Sequence, residues 1–149
     1  MELELLVRAA IVNQGKFLIA HTKGASNTYL PGGHVKVGEG LKQALARELD
    51  EELGIPVTVG RFLGTVEHAW SDANGLNHEI NHLFEVTSPE LGVDRPSESL
   101  EDYIEFFWLT PSEFEEHNLQ PAPLRKLLMN LGEGSRGIWW ASTVEPADS

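Results

Sequence analysis

The chain has 149 residues, of which 41% are hydrophobic and 23% charged, with a formal net charge of −12 at pH 7. That size and composition suit one globular domain with a real core, expected over residues 1–149 with a C-terminal tail from about residue 132. The acidic balance argues against a nucleic-acid polymer as partner, which would need a basic surface, and with no cysteine there can be no disulfide, thiolate nucleophile or cysteine-ligated zinc.

Leu3, Leu5, Val7, Ala9 and Ile11 alternate with their neighbours and predict a strand to Val12 with those side chains on one face. Asn13-Gln14-Gly15 is a turn and Lys16 to His21 a second strand, so the two are expected to form a hairpin. Arg8 is read as a solvated strand arginine rather than a phosphate contact, and His21 as a strand-end residue rather than a ligand. After a polar loop from Lys23 to Asn27, Tyr29-Leu30 runs into Pro31-Gly32-Gly33, where glycines allow a tight turn and close approach to a ligand.

A helix follows. Leu45, Leu49 and Leu53, with Ala46 beside them, form an apolar stripe that docks it on a sheet. Glu48, Glu51 and Glu52 fall at i, i+3 and i+4 on another face, expected at the rim of a cleft. Like charges at this spacing cost a few tenths of a kcal/mol per pair, and a cation among them relieves the repulsion. Arg47 lies four residues before Glu51, within reach of a salt bridge. Glu39 is placed to organise the preceding loop by accepting backbone N–H bonds, and Gly54 is a C-cap.

Ile55 to Ala69 reads as a long strand broken near Gly60 or Gly64, Ser71 to Asn77 as a turn-forming loop, and Asn77 to Thr87 as the partner strand. Glu67, His68, His78, Glu79 and His82 fit no standard zinc spacing, because neighbouring strand residues point to opposite faces; one or two of them are expected to line the cleft. Ser88 to Glu101 reads as a mobile loop and Tyr103 to Leu109 as an aromatic strand. Thr110-Pro111 opens a short helix from Ser112 to His117. Pro123 to Leu131 is another, with Leu124, Leu127, Leu128 and Leu131 on one face. In the tail, Trp139-Trp140 packs on the body or on a second subunit, which admits a homodimer, and the last residues are expected to be disordered. No apolar run is long enough to span a membrane and no signal pattern opens the chain, so the expectation is a cytoplasmic protein without a membrane partner.

Gly33, Glu39, Arg47-Glu48-Leu49, Glu51-Glu52 and Gly54-Ile55 match every defined position of the Nudix box, and Tyr29-Leu30-Pro31-Gly32 is similar to its usual approach. The chain thus resembles a Nudix hydrolase. The resemblance implies an α/β fold, an α/β/α sandwich with a mixed sheet between the box helix and the C-terminal helices. It also implies the Gly33 carbonyl as a metal ligand, and cleavage between two phosphates of a nucleoside diphosphate linked to another group.

Hard oxygen ligands without a thiolate select Mg²⁺, with Mn²⁺ as the alternative. The reaction that follows is hydrolysis of a phosphoanhydride with water as nucleophile. Glu51 and Glu52 are read as metal ligands, and Glu48 as a third ligand or the base. Some family members resemble a second arrangement, with the base in the loop before the aromatic strand; Glu101, Asp102 and Glu105 are the candidates here. The expected partner is a small nucleotide: a nucleotide sugar such as ADP-ribose, a (d)NTP or oxidised dNTP, or a dinucleoside polyphosphate. Tyr29, Phe17 or an aromatic residue between Tyr103 and Trp108 could stack on its base. A catalytically inactive regulatory module and a simple acidic ion binder are the competing classes. The intact carboxylate set argues against the first, and the arginine and glycine turn at fixed offsets against the second.

Overall fold

The computed structural model describes residues 3–95 and 97–144. The strands are β1 (Leu3–Ala10), β2 (Val12–Asn13), β3 (Lys16–Thr22), β4 (Gly32–His34), β5 (Thr58–Asp72), β6 (Gly75–Thr87), β7 (Ile104–Leu109) and β8 (Trp139–Ser142). The helices are α1 (Leu41–Leu53) and α2 (Leu124–Gly132), with a 3-10 turn at Pro111–Glu113. Five strands form a mixed sheet in the order β4-β1-β6-β5-β8, and β2, β3 and β7 form a second, antiparallel sheet. Within the larger sheet β1–β6 and β5–β8 run parallel.

Two apolar layers hold the sheets between the helices. On one side Ala44, Leu45, Leu49 and Leu53 of α1 pack with Val7, Ala9, Ile11, Leu18, Phe84 and Val86. On the other, Leu124 and Leu128 of α2 pack with Phe17, Ile19, Leu63, Val66, Leu83 and Trp139. This is the α/β/α sandwich that the sequence led us to expect. The helix stripe is as read, except that Ala44 rather than Ala46 is fully buried.

The first hairpin differs from the expectation. β1 stops at Ala10 and joins the larger sheet between β4 and β6, and only the short β2 pairs with β3. Leu6 and Ala10 are as buried as Val7 and Ala9, whereas Leu3 and Leu5 are exposed. A strand covered on both faces belongs inside a layered sheet, and one-sided alternation does not describe it.

β5 and β6 close on a tighter turn than predicted, with Asp72 already paired to Gly75. The Asp72 carboxylate accepts the Asn74 N–H and the Asn77 amide, both at 2.8 Å. β5 is irregular between Val59 and Gly64, where the expected break falls. Gly64 has φ 147°, and a Cβ there would collide with the Trp139 backbone. The glycine therefore lets β8 lie against β5, so part of the expected tail is a strand. Trp139 is buried in the core and Trp140 is 59% exposed.

The expected helix from Ser112 to His117 is a 3-10 turn followed by single turns. Glu113 accepts the Thr110 N–H at 2.9 Å, and Asn118, at φ 49°, turns the chain away. Ser88 to Glu101 forms no helix or strand among the described residues. It is anchored by buried Leu91 and by the Leu100 N–H, which donates to the Glu52 carbonyl at 2.7 Å. The disorder expected at the C-terminus concerns residues 145–149, which lie outside the described residues. No helix among the described residues is long and apolar enough to cross a membrane.

Candidate active site

α1 presents its three acids to three different environments. Glu51 is exposed, Glu48 is half-buried, and Glu52 is only 6% exposed. The single cleft rim expected from the helix spacing is therefore corrected: Glu52 turns inward toward the sheet. Burial pushes its carboxyl up to about 8, and the negative Glu48 and Glu101 add to that rise. The Arg8 charge and a hydrogen bond from the Gly32 N–H oppose it. Among the described residues no basic side chain forms a salt bridge with Glu52, and a buried acid of that kind favours either a proton or a cation.

Arg47 holds the rest of the box together. Its Nε donates to Glu39 Oε2 at 2.6 Å and its Nη2 to Glu39 Oε1 at 3.0 Å. Nη1 reaches Glu48 at 3.1 Å and Glu51 at 3.2 Å, and Nη2 also donates to the His34 carbonyl at 2.9 Å. Glu39 in turn accepts the Lys36 N–H at 3.1 Å. The guanidinium first, and that N–H second, hold the Glu39 carboxyl down at about 2. One arginine thus ties the glycine turn, the loop before α1 and two helix acids into one network.

The glycine turn is shaped around these acids. A Cβ on Gly33 would collide with the Glu48 carboxylate, and one on Gly32, at φ 143°, with the Val7 carbonyl. The backbone of β4 therefore lies directly against the Glu48 carboxylate, a contact only glycine permits. Carboxylate oxygens and a backbone carbonyl are donors of the hard type that a divalent cation takes, although the oxygens of the three box acids do not converge within 4.8 Å of one another here. Glu48, Glu51, Glu52 and the Gly33 carbonyl are the residues that could hold it.

The three loop acids are not equivalent. Glu101 lies close enough for its charge to raise the Glu52 carboxyl. It follows Leu100, whose N–H is bonded to the carbonyl of Glu52. Asp102 is exposed and borders a shallow hollow with Glu101 and Lys23. Glu105 is committed to His21, with Oε2 at 2.7 Å from Nδ1. His21 Nε2 lies 2.8 Å from the Ala25 carbonyl, and these two contacts raise the imidazole pKa, the carbonyl first.

A cavity of about 450 Å³ opens between the larger sheet and the connecting loops, lined by Arg8, Asn27, Tyr29, His68, Trp70, Glu79, Asn118 and Gln120 among others. His68 stacks on Trp70, with ring centroids 4.9 Å apart at 24°. Arg8 lies over the Tyr29 ring, 5.2 Å from its centroid, and donates to the Leu30 carbonyl at 3.1 Å. Arg8 is not the solvated residue expected: it is half-buried and borders both the cavity and the charge field of Glu52. The signal was its register, since it shares a strand face with buried Leu6 and Ala10. His68 and Glu79 meet the expectation that one or two of the strand His and Glu residues line a cleft. Of the aromatic residues considered for stacking, Tyr29 lines the cavity and Phe17 is fully buried, edge-on to Phe114 at 5.8 Å. Sequence reasoning missed Trp70, because it falls at the turn-ward end of β5.

Outside the box, Glu113, Glu116 and His117 bring ligand atoms within 4.8 Å of one another. Glu113 Oε1 already accepts two hydrogen bonds from Thr110.

A NUDIX domain model matches residues 4–131. The chain belongs to the Nudix family of hydrolases. It is an enzyme of that family, whose members act on small nucleotides and generally use a divalent metal. It is 31% identical over 137 residues to a CTP pyrophosphohydrolase of Escherichia coli strain K12, covering 88% of this chain and 95% of that protein. It is 46% identical over 63 residues to the low-salt glycan biosynthesis protein Agl8 of Haloferax volcanii, and the match spans only 40% of either chain. Among solved structures, a MutT protein from Methanosarcina mazei Go1 superposes with a TM-score of 0.67 at 25% identity, covering 89% of this chain and 96% of that one.

Proposed function

We propose that the chain hydrolyses a phosphoanhydride bond of a nucleoside triphosphate in a Mg²⁺-dependent reaction. The observation that carries this reading is the position of Arg8. It lines the aromatic cavity, and its charge also acts on the buried box acid Glu52. One ligand can therefore place a flat base in the cavity and its phosphates at the box, with the guanidinium between them. The similarity of nearly the whole chain to a CTP pyrophosphohydrolase supports a nucleoside triphosphate over a nucleotide sugar.

Glu48, Glu51, Glu52 and the Gly33 carbonyl hold Mg²⁺ in this reading. When bound, the ion screens the phosphate charge and makes a water more acidic. Arg47 acts by position, holding Glu48 and Glu51 together through Nη1 while Glu48 lies against Gly33. Glu101 is the loop acid that assists in taking the proton from the attacking water, because it is the one whose charge reaches Glu52. Glu105, paired with His21, serves the loop instead. Water attacks one phosphorus, the bridging oxygen leaves with the departing phosphate group, and no covalent intermediate on the protein is required.

The test is phosphate and pyrophosphate release over a panel of nucleoside triphosphates, ADP-ribose and dinucleoside polyphosphates, with and without Mg²⁺. Mg²⁺-dependent pyrophosphate release from a triphosphate supports the reading, and preferential turnover of ADP-ribose overturns the choice of substrate class.

A further inference from the structure

The aromatic cavity is more specific than a stacking surface, because one of its walls carries an acid with an unused oxygen. Glu79 and Asn81 sit two apart on β6 and share the face that Leu83 buries in the core. Asn81 is itself 1% exposed. Its amide donates to the Val66 carbonyl at 3.3 Å and to Glu79 Oε1 at 3.1 Å. Both amide hydrogens are spent, so Glu79 is held by one oxygen to a buried, fixed donor. Glu79 Oε2 accepts no hydrogen bond from any described residue, and Glu79 lines the cavity. His68, its cross-strand partner, is stacked on Trp70 and bonded through Nδ1 to Thr143 at 2.8 Å.

Across the cavity, Asn118 is tied up on all sides. Asn118 Oδ1 accepts from Gln120 at 2.8 Å and from Arg125 at 3.2 Å, and its amide nitrogen donates to the Ser26 carbonyl at 3.3 Å. Asn118 is thus pinned, and Glu79 is the one carboxylate among the described residues that line this cavity, beside the His68–Trp70 stack.

We propose that Glu79 determines base specificity, accepting an N–H of an amino-bearing base such as cytosine and rejecting the keto edge of uracil. A carboxylate offers only acceptors, so it gains a charge-assisted bond from an exocyclic amine. The O4 of uracil in the same place would set acceptor against acceptor and leave the carboxylate desolvated without a donor. Sites that hydrogen-bond a polar group reject analogues lacking it far more strongly than apolar pockets do. This inference rests on the nucleotide reading above and adds to it the identity of the reading residue.

The experiment separates the two. Equilibrium binding of CMP and UMP is measured by calorimetry on the metal-free protein, so that it does not depend on turnover. CTP and UTP hydrolysis is measured beside it. The wild type is expected to bind CMP at least about tenfold tighter than UMP and to show the same preference in kcat/KM, mostly through KM. Glu79→Gln keeps an oxygen for Asn81 but can turn a donor toward the cavity. It should reduce the ratio by about tenfold or invert it, while kcat on the better substrate stays within a few-fold. Should the variant fold poorly, the wild type is tested with the nucleotide of 2-pyrimidinone, cytidine without its 4-amino group. Its affinity should fall to the UMP level.

Equal binding of CMP and UMP by the wild type, or an unchanged ratio in Glu79→Gln, overturns the assignment of Glu79 even if hydrolysis is vigorous. Selective CMP binding that Glu79→Gln weakens, without any triphosphate hydrolysis, leaves Glu79 as the reading residue and overturns the proposed reaction instead.

Discussion

Arg47 grips both carboxylate oxygens of Glu39, Nε to Oε2 at 2.6 Å and Nη2 to Oε1 at 3.0 Å. The remaining Nη1 is then fixed in direction and meets Glu48 and Glu51. A planar fork can do this and a point charge cannot. Arg47→Lys should therefore keep the charge but lose the geometry. The expected result is a fall in kcat of about tenfold or more and weaker Mg²⁺ binding, with a smaller change in melting temperature. Normal kcat in Arg47→Lys would show that the orientation of Glu48 and Glu51 does not depend on the fork.

Gly33 lies where a side chain would strike the Glu48 carboxylate. Glu48 is a flexible side chain and can yield, so Gly33→Ala should fold and lose most of its turnover. Gly32→Ala meets the Val7 backbone at φ 143° and should be destabilised as well. Circular dichroism melts and kcat for the two variants distinguish these outcomes.

The buried Glu52 carboxyl predicts a pH dependence with a definite sign. Its folded pKa, about 8, lies above its ordinary value of 4.5. Below that ordinary value both folded and unfolded chains hold the proton, and the contribution to stability is complete. As pH rises the unfolded chain releases the proton first, so the metal-free protein loses stability up to about pH 8 and little beyond. Melts in EDTA from pH 5 to 9 should show this loss in the wild type and a flatter profile in Glu52→Gln. His21, whose pKa is also raised, contributes in the same direction in both proteins and cancels in the comparison. Mg²⁺ affinity should rise over the same window, because the ion competes with the proton.

Arg8 lines the cavity, and its charge acts on the buried Glu52 carboxyl. Arg8→Ala should raise KM for a nucleoside triphosphate by about tenfold or more, and should push the Glu52 carboxyl further up by removing the charge that opposes its rise. Steady-state kinetics at two pH values reads both effects.

The box was legible in the sequence because its chemistry is local. Arg47 and Glu51 are one helical turn apart, Gly54 adopts the left-handed C-cap, and the apolar stripe of α1 needs only helix periodicity. What was not legible depends on pairing between distant segments. β1 looked like half of a hairpin because alternation reports one face, whereas its pairing with β6, far along the chain, covers the other. The depth of Glu52 follows from the same packing, since helix spacing alone cannot distinguish a rim from a buried edge. The cavity joins residues from β1, β5, β6 and the loops around Asn27 and Asn118, so no stretch of sequence announces it. The strand formed by Trp139 depends on the space left at Gly64.

The most direct measurement is the Mg²⁺-dependent release of pyrophosphate from CTP by the wild type and by Glu52→Gln, at saturating nucleotide. Glu52 is the box acid whose burial most favours a bound cation, and a neutral amide is a poor ligand for Mg²⁺. The wild type is expected to be active only with the metal. Glu52→Gln should lose at least about a hundredfold in kcat while its circular dichroism spectrum is unchanged. Turnover in Glu52→Gln that matches the wild type, with the same dependence on Mg²⁺, would contradict this expectation.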